Sequence, residues 1–87
     1  MPAPDRRALE DHWRKRLTDA ELRLNFTRTY LKEVQQDYPP GEIQNADGHY
    51  AYRDALSAET EALREYRRVL QIFNDLIVHG KIPKEGS

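Results

Sequence analysis

Apolar residues recur along this chain at alternating intervals of four and three. The first series is Trp13, Leu17, Ala20, Leu24, Thr27, Leu31, Val34 and Tyr38; the second is Tyr52, Ala55, Glu59, Ala62, Tyr66, Val69, Phe73 and Leu76. An α-helix turns once in about 3.6 residues, so this spacing holds one apolar face in line along a helix. Kept up over several turns, it is the a/d seam of a coiled coil or helical bundle.

The breakers fall where two such helices would begin and end. Pro2 and Pro4 open the chain, and no Gly or Pro interrupts the stretch from Asp5 to Asp37. Proline is favoured at a helix start and costly inside one. Tyr38-Pro39-Pro40-Gly41 then stops any helix, and the polar residues from Glu42 to Ala46 complete a connection. Asp47, or alternatively Asn45, is a suitable N-cap for the second helix. Gly80 stands where a helix C′ residue belongs, with Pro83 beyond it. The expectation is a single domain over residues 1–87: a helix at about 5–37, a turn at 38–46, a helix at about 47–79 and a tail at 80–87. Each helix would be about 48 Å long. The fold class is all-α, a long antiparallel two-helix hairpin.

Folding the chain back at the Pro-Pro-Gly turn registers the two seams. Aligning positions whose numbers sum to about 86 brings Trp13 to Phe73, Leu17 to Val69, Ala20 to Tyr66, Leu24 to Ala62, Leu31 to Ala55 and Val34 to Tyr52. Large residues then face small ones, as interdigitating layers require.

Further apolar positions remain. The second helix carries Leu56, Leu63, Leu70 and Ile77 at strict heptad spacing, and the first carries Leu22, Phe26 and Tyr30. Two facing helices bury one stripe each, and a second stripe left in water is a larger apolar patch than soluble monomers tolerate. The expectation is that these residues meet another copy of the chain, as a homodimer forming a four-helix bundle. The competing expectation is a broad apolar arc wrapped around the intramolecular seam.

Composition sharpens this picture. The chain has 87 residues, of which 38% are hydrophobic and 33% charged, more polar than an average globular domain. So small and polar a hairpin gains from extra burial on association. The net charge of -1 attracts neither nucleic acid nor an anionic membrane. There is no cysteine, which excludes disulfide and thiolate chemistry. No apolar run approaches the roughly 20 residues of a membrane span and the first residues lack a signal-like stretch, so a cytoplasmic protein without membrane contact is expected.

Candidate chemistry is sparse. Arg6, Arg7, Arg14, Lys15 and Arg16 cluster beside Trp13 and would suit phosphate contacts with base stacking, which makes nucleic-acid binding the alternative function. Asp5, Glu10, Asp11 and Asp19 are interleaved, however, and can pair with those bases along the helix. A metal-binding bundle is a weaker alternative. The core motif Glu-x-x-His is missing, and His12, His49 and His79 lie far apart in sequence. Glu59 sits on the seam and needs water, an arginine or a polar layer to satisfy it. Tyr38, Tyr50 and Tyr52 near the turn suit either a recognition tip or local packing. With only Ser57 and Ser87 as serines and no glycine-rich phosphate loop, no catalytic activity and no cofactor are expected. The sequence therefore points to a small self-associating interaction or adaptor module with a homo-oligomeric or helical protein partner.

Overall fold

The structure, a computed structural model, describes residues 5–37 and 46–83, the side chains of residues 46–48 excepted. It consists of two helices, α1 (Arg6–Asp37) and α2 (Ala46–His79), packed along their length, and no strand occurs among the described residues. The Pro-Pro-Gly turn and Tyr38 lie outside the described residues.

Asp5 begins α1 as its N-cap. Its Oδ1 accepts a hydrogen bond from the Arg7 backbone N–H at 3.1 Å, while its carbonyl accepts from Leu9 N–H at 3.0 Å. This satisfies donors that a helix start leaves open. Asp47 lies inside α2 rather than ahead of it, so it is not the N-cap; the alternative, Asn45, lies outside the described residues. At the far end of α2, Gly80 takes a left-handed φ of 66° and its N–H donates to the Leu76 carbonyl at 3.1 Å. Lys81 N–H reaches the Asp75 carbonyl, also at 3.1 Å. A residue with Cβ is strained at that φ, which explains glycine there.

The helices run antiparallel. Near the start of α1, the Arg6 guanidinium donates to the carbonyls of Leu76 and Ile77 at 3.3 and 3.4 Å, and further along Arg16 meets Glu65 at 3.4 Å. Trp13, Val69 and Leu76 are fully buried together, with Leu9, Leu17, Ile72 and Phe73 packed around them. Trp13, Leu17, Val69 and Phe73, which the sequence alignment brings together in two pairs, all belong to that cluster.

Nearer the turn the core thins to small residues. Ala20, Ala55 and Ala62 are buried, alongside Leu24 and Val34. Thr27 is also buried on the seam, and its hydroxyl donates to the Leu24 carbonyl at 2.8 Å, which satisfies it within α1. Glu59, expected opposite Thr27, is half-buried and makes no hydrogen bond or ion pair among the described residues.

The hairpin is a rod of 60 × 20 × 17 Å with a radius of gyration of 17.9 Å. A compact chain of this length would have a radius of about 12 Å. Its accessible surface is 6694 Å², against roughly 5,400 Å² for a compact protein of this mass. Two helices make one interface, and the excess surface is what that single interface leaves uncovered.

Two stability outcomes follow. Trp13→Ala removes the largest buried side chain and should cost about 3–5 kcal/mol, comparable with the whole stability of so small a domain; far-UV circular dichroism should show loss of the cooperative helical transition. Gly80→Ala should cost about 1 kcal/mol in urea unfolding. A Cβ there would meet only Arg6 Nη1 at an ordinary 3.7 Å, so that cost would come from the backbone and not from crowding.

Candidate functional site

Long-range contacts define which sides of the hairpin its exposed residues share. With the seams turned inward as a and d positions, the flanking e positions of antiparallel helices adjoin one another on one side, and the g positions on the other. Arg16 and Glu65 are both g positions, and they meet. Arg14, an e position, places its guanidinium 5.7 Å from the centre of the Phe73 ring. The two sides of the hairpin differ in character.

The first side carries the α2 stripe. Leu56, Leu70 and Ile77 are each 36–38% exposed, and Leu63 is half-buried. The stripe is therefore partly tucked against the seam and partly open, between the two sequence expectations of an outer patch and a wrapped core. Around it, at the exposed e and b positions of both helices, stand Arg7, Arg14, Arg28, Lys32, Arg53 and Arg67, with only Asp11 and Glu21 to oppose them. Arg14 also pairs with Asp11 at 3.2 Å on the open surface.

The second side carries the α1 patch. Phe26 is 73% exposed, Leu22 62% and Tyr30 40%, so this patch is the more open of the two. Leu22 lies at the back edge of α1, Phe26 one turn on, and Tyr30 squarely on the g side. The surrounding g and c positions are mainly acidic, with Asp19, Glu33, Asp37, Asp54, Glu61 and Asp75 against Arg16, Arg23 and Arg68. Sequence reasoning grouped the stripe and the patch as one interface. The wheel positions, oriented by the Arg16–Glu65 contact, place them on opposite sides. The signal was present in the heptad letters, but only a contact between the helices says which flank faces which way.

An ion cluster crosses the seam on this second side. Glu65 accepts from Arg68 Nη2 at 2.9 Å and Nε at 3.1 Å, and from Arg16 Nη2 at 3.4 Å. The Arg16 guanidinium also stacks 4.9 Å from the centre of the Trp13 ring, and the Trp13 and His12 rings lie nearly perpendicular with centres 5.4 Å apart. The Arg68 hydrogen bond, with the positive charges of Arg68 and Arg16, holds the Glu65 carboxyl below the ordinary carboxylate range against an opposing effect of burial. Arg16, Asp19, Ala20, Arg23 and Glu65 line a shallow, open notch beside the cluster.

The basic N-terminal residues are dispersed by the fold. Arg6 caps the C-terminal carbonyls of α2 and pairs with Glu10 at 3.0 Å, where a cation also complements the helix dipole. Arg14 leans to the stripe side, Arg16 to the opposite side, and Arg7 and Lys15 are exposed. Sequence reasoning missed the Arg6 cap; its seam position would have been the signal. Tyr50 is exposed, with its ring 6.2 Å from that of His49, and Tyr52 is half-buried. Among the described residues no group of three His, Asp or Glu is placed to hold a metal ion, and no helix is long and apolar enough to cross a membrane.

Comparison with family models, with curated proteins and with solved structures finds no match to this chain. Its functional reading therefore rests on its own surfaces.

The ion cluster carries a pH prediction. The folded pKa of Glu65 lies below its unfolded value of about 4.5. Its contribution is therefore fully present above that value and lost as pH falls through the folded pKa. Urea midpoints taken from pH 7 to pH 3 should fall at the acid end, and Glu65→Gln should flatten that part of the profile while lowering the midpoint at pH 7.

Proposed function

We propose that this protein is a non-catalytic helical interaction module that acts through self-association. The observation that carries this reading is the pair of open apolar surfaces: the α2 stripe at Leu56, Leu63, Leu70 and Ile77, and the α1 patch at Leu22, Phe26 and Tyr30. Single exposed apolar residues are ordinary, but rows of them repeated turn after turn mark an association surface. The elongated shape adds to the argument. A rod with one internal interface leaves much apolar area in water, and each further helix laid against it recovers about 25 cal/mol per Å² of that area.

The simplest assembly of this kind is a dimer in which two hairpins form a four-helix bundle. The basic N-terminal residues lend less to a nucleic-acid reading, because Arg6 and Arg16 turn to α2 and Arg14 lies over Phe73. Adaptor work would then fall to the surfaces that association leaves free.

Light scattering behind size-exclusion chromatography, run over a hundredfold range of protein concentration, tests the proposal. Masses at or above twice the 10.3 kDa of the chain are expected, rising with concentration. A folded monomer throughout that range would sink it.

A further inference from the structure

Self-association through these surfaces leaves open how the copies meet, and the charges around the two apolar surfaces bear on that question. The stripe side is basic, with Arg28, Arg53 and Arg67 among its exposed positions; the patch side is acidic on balance, with Glu33, Asp54 and Glu61 outweighing Arg23. A symmetric dimer places the same surface of both copies against itself. Stripe against stripe would bring the arginines together, and patch against patch would bring the carboxylates together. Facing like charges disfavours both arrangements.

We infer that the copies associate head to tail, the α2 stripe of one hairpin seated on the α1 patch of the next. This rests on the reading of self-association above. Apolar residues then cover apolar residues, and arginines meet carboxylates. It is also the arrangement that uses both surfaces, because they lie on opposite sides of one thin rod and no single symmetric contact reaches both. The patch spans about 12 Å along α1 and the stripe about 32 Å along α2, so the patch covers part of the stripe. A contact of this heterologous kind leaves one unused surface of each type on every growing assembly. It therefore continues past two copies, as an open chain or a closed ring.

Two variants of the full chain test the geometry. Phe26→Asp disables the patch and leaves the stripe; Leu70→Asp disables the stripe and leaves the patch. Circular dichroism first establishes that both remain helical. Should Leu70→Asp unfold, the double substitution Arg53→Glu with Arg67→Glu reverses the charge around the stripe without touching the core. Sedimentation velocity then reads each variant alone, the two mixed in equal amounts, and the unaltered chain at 0.05 and about 0.5 M salt. Expected are growth of the unaltered chain past a dimer, at least tenfold weaker association at the higher salt as the charges are screened, and association at least tenfold weaker for each variant alone. The mixture should form a one-to-one dimer that grows no further, because one intact stripe meets one intact patch and the dead surfaces end the chain. A discrete dimer that survives Phe26→Asp, or a mixture that stays monomeric, would overturn the head-to-tail geometry while leaving self-association standing. A monomeric unaltered chain at every concentration would overturn both.

Discussion

Two helices lying side by side share only one interface, and most of this molecule follows from that constraint. Trp13, Val69 and Leu76 are removed from water because both helices contribute to one seam. Apolar side chains off the seam lie at its flank or on an outer face, and there they stay partly or largely open to water. Leu63 beside the seam is half-buried, Leu70 at the same heptad position is 38% exposed, and Phe26 well around the helix is largely open. The constraint also accounts for the elongated shape, since further packing layers would have needed a third helix or a second chain.

Charged groups do most of their structural work at the edges of that interface. The Arg6 guanidinium adds a donor to the carbonyls of Leu76 and Ile77 in the last turn of α2, tying the start of α1 to the end of α2. The Arg16–Glu65–Arg68 cluster bridges the seam midway along one flank, where arginine can stack on Trp13 while still reaching a carboxylate. Such partly exposed pairs contribute modestly to stability. Their larger effect is on register, because sliding one helix by a turn would separate Arg16 from Glu65 and Arg6 from its carbonyls together.

The same flanks give the rod its two unlike sides. A net charge near zero conceals a basic apolar side and an acidic apolar side, since the charges are sorted by heptad position and not by their place in the sequence. For a chain that associates through its own surfaces, as proposed above, that sorting would matter more than the total.

The alternation of four and three, the Pro-Pro-Gly interruption and Gly80 made two packed helices legible from the residues alone, because helical periodicity and backbone breakers are local properties. The neighbours of Trp13 were legible for the same reason, as complementary sizes along two seams admit few alignments. The relation between Leu70 and Phe26 was not. Both read as surplus apolar positions, and only a contact across the seam, such as Arg16 with Glu65, says that one flank of α1 adjoins a particular flank of α2. Nor did the sequence assign Arg6 to a helix end some seventy residues away, or show that Thr27 satisfies its hydroxyl within its own helix. The sequence by itself determined the two helices, the start of α1, the end of α2 and the inward seam, all consequences of local backbone preference and periodicity. The tertiary structure decided which outer faces lie together, because that depends on the direction in which one helix is laid against the other.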